Sequence, residues 1–171
     1  MNQFRDAPLP LVYASKAERL QQAMERILQR SATDTSSTAI TVDDVEFASY
    51  QAASAQTDTP QVRPIDLATF RKMQGQGQAL ILDTRPEIFH RFGHIPKAIS
   101  LPRDDFEVYY TKQRTYLEKH KMHPLLIYCS GGSCEDGEMV ANALIRLGFT
   151  DVYLFRGGWS EWTQAKLPTE S

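Results

Sequence analysis

The chain has 171 residues, 42% of them hydrophobic, and a net charge of −2 at pH 7, which suffices for one core of ordinary size plus an appendage. This charge, with no Lys/Arg-rich run, makes no electrostatic case for nucleic acid. No stretch approaches the ~20 apolar residues of a membrane span, the N-terminus lacks a signal-peptide apolar region, and two cysteines suit a reducing compartment. The expectation is a soluble cytoplasmic protein with no nucleic-acid and no membrane partner.

The organisation changes near residue 60. Residues 1–14, with Pro8, Pro10 and the apolar Leu11, Val12 and Tyr13, read as an extended arm. Over 15–30, Leu20, Met24, Ile27 and Leu28 fall on one face of a helix, with Ser15 as its N-cap. That stripe is a packing face, either against this chain or in a homodimer through the 15–30 helix. A membrane surface is disfavoured because Lys16, Arg26 and Arg30 are balanced by Glu18 and Glu25. The Ser/Thr-rich 31–38 reads as linker, 41–55 as a second, weaker helix, and 56–61 as a hinge. Residues 1–60 are thus an N-terminal helical extension with linkers, and 61–171 a separate unit.

From residue 61 strand and helix signals alternate. A short edge strand is expected at 62–65, a helix at 66–74, and an apolar strand from Ala79 to Leu82 that ends at Asp83. A short strand at 99–101 is closed by Pro102, and 106–120 is helical. Leu125, Leu126, Ile127 and Tyr128 form a run suited to a strand buried on both faces. Met139, Val140, Ala143, Leu144 and Leu147 then recur at helical spacing up to Gly148. A strand at 152–155 precedes Gly157, Gly158 and a helix carrying Trp159 and Trp162. Strands separated by helices argue for an α/β fold with a parallel sheet, whose ligands sit at the carboxyl ends of the strands, where Asp83 and Cys129 lie.

Chemistry concentrates in the segment after Tyr128. Cys129 is followed by Ser130, Gly131, Gly132 and Ser133, small residues that let the backbone curl and its N–H groups converge, then by Cys134, Glu135 and Asp136. A cysteine facing such donors and a helix N-terminus is placed to become a stabilised thiolate. The competing reading is a small buried hydrophobe at a strand end. A metal site is disfavoured: no third cysteine exists, and His90, His94, His120 and His123 lack zinc-ligand spacing beside the pair.

Three segments carry a family resemblance. Leu82-Asp83-Thr84-Arg85 with Gly93-His94-Ile95-Pro96-Lys97-Ala98 and Pro102 resembles the N-terminal signature of rhodanese domains. Arg156-Gly157-Gly158-Trp159 with Trp162 is similar to their C-terminal signature, and Tyr128-Cys129 sits where their active-site loop begins. The matches keep the family's order and cover about residues 62–168. The resemblance implies a three-layer fold with a five-stranded parallel sheet, and a sulfurtransferase whose cysteine, here Cys129, carries sulfane sulfur as a persulfide. It implies no metal and no organic cofactor. Loop N–H groups of Ser130, Gly131, Gly132, Ser133, Cys134 and Glu135 are expected to cradle that persulfide. Asp83 and Arg85 are expected to brace the loop as a buried pair, His94 to be a hydrogen-bonded structural residue, and Trp159 and Trp162 to pack the core.

The loop departs from the family pattern. Single-domain rhodaneses commonly carry an arginine five residues after the catalytic cysteine, where this chain has Cys134, and related phosphatases need one at the place of Glu135. Carboxylates in the first helical turn suit the helix dipole but repel an anionic donor or a phosphate. Cys134 is either a space-filling thiol or a resolving thiol that attacks the Cys129 persulfide or pairs with Cys129. The expected reactants are a small sulfane-sulfur donor, such as thiosulfate, and a thiol or protein-cysteine acceptor, cyanide serving in assays. Two alternatives stay open: a non-catalytic interaction module, and a thiol–disulfide redox protein using Cys129 and Cys134.

Overall fold

Helix α1 (Lys16–Thr33) opens the described part of the chain: the computed structural model describes residues 15–33 and 60–171. The arm read over 1–14, the helix read over 41–55 and most of the two linkers lie outside the described residues. Ser15 caps α1 reciprocally with Glu18: the Glu18 N–H donates to Ser15 Oγ (3.2 Å) and the Ser15 N–H donates to Glu18 Oε2 (2.6 Å). The helix runs three residues into the segment expected to be a linker.

Strands β1 (Arg63–Ile65), β2 (Leu80–Asp83), β3 (Ala98–Ser100), β4 (Leu125–Tyr128) and β5 (Val152–Phe155) pair in parallel in the order β1-β5-β4-β2-β3. The connecting helices are α2 (Leu67–Gly75), α3 (Glu87–Phe92), α4 (Phe106–Lys119) and α5 (Glu135–Arg146), and α6 (Gly158–Gln164) follows β5. Boundaries fall within a residue or two of the expected ones. The exception is α3, which the hydrophobic pattern did not reveal: it buries no side chain, and Ile88, Phe89 and Phe92 all face out. With no apolar stripe to bury, such a helix leaves no periodic trace.

The sheet divides two cores. On one face Leu80, Leu82, Leu125, Ile127 and Leu154 pack against Phe106, Tyr110, Val140 and Leu144 of α4 and α5. On the other, Ile81, Leu126, Tyr128 and Phe155 pack against Phe70 of α2 and Trp162 of α6. This is the three-layer arrangement, and β2 and β4, buried along their whole length, are its middle.

Helix α1 belongs to the first core. Its Leu20, Ala23, Met24 and Ile27 are buried with α4 and α5, so the stripe packs against this chain, one of the two roles read for it. Leu28, placed on that stripe from its spacing, is instead 43% exposed, and Ala23 takes the buried position. Arg26 reinforces the docking with an ion pair to Glu107 at 2.6 Å. No helix among the described residues is long and apolar enough to cross a membrane.

Candidate active site

The site forms where β2 and β4 end side by side, with Asp83 and Tyr128 in register. Side chains alternate along a strand, so Tyr128 faces the α2/α6 core while Cys129, one residue on, belongs to the α4/α5 side. Cys129 is 4% exposed and reaches a cavity of about 230 Å³, lined also by Thr84, Arg85, Ser130, Ser133 and Cys134 among others. Glu135, Asp136 and Lys16 of α1 complete its rim.

The loop is bolted to the segment after β5. Trp159 N–H donates to the Cys129 carbonyl (2.8 Å), and Ser160 N–H donates to that of Ser130 (2.9 Å). Gly158 makes this approach feasible: its φ is +57°, and a Cβ there would collide with the Cys129 carbonyl and with the Gly131 nitrogen. Gly131 N–H points at Cys129 Sγ from 3.4 Å, one of the donors the sequence anticipated. Gly132 (φ +71°) is exposed with nothing within reach of a Cβ.

Cys129 and Cys134 are joined by a disulfide with Cα atoms 5.8 Å apart. Cys134 sits in the left-handed region (φ 52°, ψ 34°) at the N-cap of α5, which turns its sulfur back under the loop. Gly137, one turn into α5, leaves the space: a Cβ there would lie 2.9 Å from Cys134 Sγ and 3.0 Å from a Leu154 methyl. Sequence reasoning saw the pairing as one option for Cys134 but gave Gly137 no role. A glycine directly after two carboxylates in a helix start was the available signal.

Behind the cavity lies a buried polar network centred on Asp83. Its Oδ2 accepts from Tyr128 OH (2.7 Å) and Arg85 Nη2 (2.6 Å), and lies 3.1 Å from His90 Nδ1, which must be the donor to a carboxylate. Arg85 also donates to the Gly93 carbonyl (2.7 Å), and Tyr128 OH accepts from the Ile95 N–H (3.2 Å). Burial pushes the Asp83 carboxyl up, but bonds from His90 and Arg85, the Arg85 charge and the Tyr128 hydroxyl outweigh it and hold the pKa below the ordinary 3.8. Burial raises the Tyr128 hydroxyl, and the adjacent Asp83 charge adds to it.

Asp83 and Arg85 are therefore together, buried and paired. His94 is hydrogen-bonded, its Nδ1–H donating to the His90 carbonyl at 2.9 Å. Trp162 is core, and Trp159, half-buried, packs against the same core; its ring also lies under the Arg85 guanidinium, 4.4 Å from centroid to Cζ. It links the C-terminal signature to the cavity wall. Sequence reasoning missed Arg103, which is almost fully buried and pairs with Asp136 Oδ1 (2.7 Å) and Asp104 Oδ1 (2.8 Å). Its Nε–H and Nη2–H make no hydrogen bond, so these contacts are charge pairs rather than aligned bonds. Arg103 offsets one of the two loop carboxylates. Nothing in a one-dimensional pattern marks an arginine three residues past a short strand for that task. Among the described residues no group of His, Cys, Asp and Glu could hold a metal ion.

A family model described as "Rhodanese-like domain" matches residues 66–165, spanning β2, β4 and the loop between the cysteines. The chain belongs to the rhodanese-like family. A tRNA uridine(34) hydroxylase of Cytophaga hutchinsonii is 30% identical over 95 residues, 55% of this chain and 29% of that protein. The uncharacterized protein YibN of Escherichia coli K12 is 29% identical over 111 residues, 64% of this chain and 73% of its own length. The chain thus spans under a third of the hydroxylase. Among solved structures, the Alr3790 protein of Anabaena sp. superposes with a TM-score of 0.53 at 27% identity, covering 63% of this chain and 91% of that one. A thiosulfate sulfurtransferase of Pseudomonas aeruginosa shares the fold alone, with a TM-score of 0.50 at 19% identity over 64% of this chain and 20% of that one.

Proposed function

We propose that this protein is a sulfurtransferase that carries sulfane sulfur as a persulfide on Cys129. The observation that supports the reading most is the placement of Cys129: at the carboxyl end of β4, opening into a small cavity, with its loop clamped by Gly158 and Trp159. In the reduced protein the Cys129 thiolate attacks the outer sulfur of a small donor such as thiosulfate. The donor's S–S bond breaks, its electron pair leaves with sulfite, and Cys129 holds a terminal persulfide anion. The Gly131 N–H and the N-terminal end of α5 are placed to stabilise that charge. An acceptor thiol, or cyanide in an assay, then takes the outer sulfur and returns the thiolate. No metal or organic cofactor enters these steps.

Cys134 gives the reaction a second exit. Its thiolate attacks Cys129 Sγ, hydrosulfide leaves with the electron pair of the persulfide bond, and the disulfide of the present structure remains. A dithiol reductant then restores both thiols. The pairing spans five residues, and so short a loop constrains the unfolded chain little. That favours a reactive over a scaffolding disulfide, and it favours a pure thiol–disulfide protein as the second reading. The cysteine usage fits this chemistry to the cytoplasm. Persulfidation and hydroxylation are different chemistries, and the hydroxylase shares with this chain its domain over 95 residues.

Intact-mass measurement of the reduced protein after exposure to sulfane donors separates the readings. A gain of ~32 Da that vanishes in Cys129→Ala supports sulfur transfer, whereas a loss of ~2 Da without prior gain supports the redox protein. A Cys129→Ala protein turning over donor at the wild-type rate would end the assignment.

A further inference from the structure

The rim of the Cys129 cavity contains a residue from outside the family domain. Lys16, the first residue of α1, lines it together with Glu135 and Asp136, fifty residues before the region matched to the family. Its place is held by the burial of Leu20, Met24 and Ile27 against α4 and α5, by the capping of α1 by Ser15, and by the Arg26–Glu107 pair.

The other charges at the cavity are already committed. Arg85 shares its guanidinium with buried Asp83, and Asp136 is paired with Arg103. Glu135 is exposed and leaves a negative charge at the rim. Against it stands Lys16, an exposed ammonium that takes part in no ion pair among the described residues. The N-terminal end of the 18-residue α1 lies on the same side, its partial positive charge met by the Glu18 carboxylate that caps the Ser15 N–H. Cys134 brings no charge to the loop and Arg85 is held by Asp83, so the cavity-lining cation outside an ion pair among the described residues comes from the N-terminal helix.

We propose that Lys16 is a specificity-determining residue that selects small anionic sulfur donors for Cys129, making α1 part of the active site. This rests on the sulfurtransferase reading for the donor's identity, but the selection of anions is measurable without it. The cavity's volume of about 230 Å³ limits the donor to a small molecule. The negative charge of such a donor meets Lys16 at the rim before its sulfur reaches Cys129.

The test uses the full chain, reduced with a dithiol. Carboxymethylation of Cys129 by anionic iodoacetate is compared with carbamidomethylation by neutral iodoacetamide, each followed by peptide mass. Both reagents consume the same thiolate, so their rate ratio cancels changes in its population and reports the charge at the rim. Lys16→Ala should lower the iodoacetate-to-iodoacetamide ratio roughly three- to tenfold, the effect of one unit charge near a protein surface. Lys16→Glu should lower it further, Lys16→Arg should preserve it, and high salt should shrink the differences. With thiosulfate, Lys16→Ala should raise KM by a similar factor and leave kcat nearly unchanged. An unchanged alkylation ratio in folded Lys16→Glu overturns the proposal. Failure of the wild type to form a persulfide, with the ratio still responding to Lys16, sinks the sulfurtransferase reading alone and leaves the anion-selecting role standing.

Discussion

Replacing Gly158 by alanine tests whether the loop is positioned by the glycine at its back. Two costs are expected. The left-handed backbone (φ +57°) disfavours any residue with a Cβ by roughly 1–2 kcal/mol. The added methyl would also collide with the Cys129 carbonyl and lie 2.7 Å from the Gly131 nitrogen; both are backbone atoms, so the loop itself must shift. Overpacking of this kind costs typically ~1–3 kcal/mol. The displacement would weaken the bonds from Trp159 N–H to Cys129 and from Ser160 N–H to Ser130, worth about 1 kcal/mol each. Gly132→Ala is the matched control. Its φ of +71° carries the same backbone cost, but no atom lies within 4 Å of the new Cβ. Urea denaturation of the reduced proteins should therefore show Gly158→Ala less stable than Gly132→Ala by about 2 kcal/mol or more, the steric part of the cost. Persulfide loading of Cys129 should slow only in Gly158→Ala. Equal destabilisation and equal loading would refute the claim that the Gly158 contact sets the loop's position.

Met24→Ala should cost about 2–5 kcal/mol in a thermal or urea melt, because Met24 is buried in the core shared with α4 and α5; a cost near zero would mean that α1 contributes nothing to the fold. Tyr128→Phe removes the hydroxyl that bonds both Asp83 and the Ile95 N–H, and should cost about 1–3 kcal/mol by leaving buried polar groups short of a partner. Stability should fall in acid through Asp83: its carboxyl is held below its ordinary 3.8 in the fold, so its contribution is present above that value and is lost as pH falls through the lower folded one. Asp83→Asn should flatten that acid limb in a pH series of urea midpoints, at the expense of stability near neutrality. Gly137→Ala should slow closure of the Cys129–Cys134 disulfide in a thiol-trapping assay, because the new methyl would lie 2.9 Å from Cys134 Sγ; closure at the wild-type rate would show that the sulfur has room elsewhere.

What the sequence determined by itself was whatever depends on local order along the chain. Four apolar residues in a row before Cys129 suit a strand covered on both faces, and the small residues after it suit a tight turn. Ser15 with Glu18, and the 3.6-residue spacing of Leu20, Met24 and Ile27, similarly announced α1 and its buried face, because capping and amphipathicity are read within a few residues. The Asp83–Arg85 pairing was implied by the family resemblance, the two being near neighbours at a strand end. The tertiary structure decided what depends on residues far apart in sequence. Leu28 is left 43% exposed while Ala23 takes the buried position, and α3 was hidden because it buries nothing. Trp159 meets Arg85 only because β5 and β2 flank β4 and deliver their ends to the same place. The pairing of Arg103, just before α4, with Asp136 of α5 and the arrival of Lys16 of α1 at the cavity both join segments far apart in sequence. The charge around Cys129 is therefore a property of packing, since electrostatic interaction depends on distance in space and not on separation along the chain.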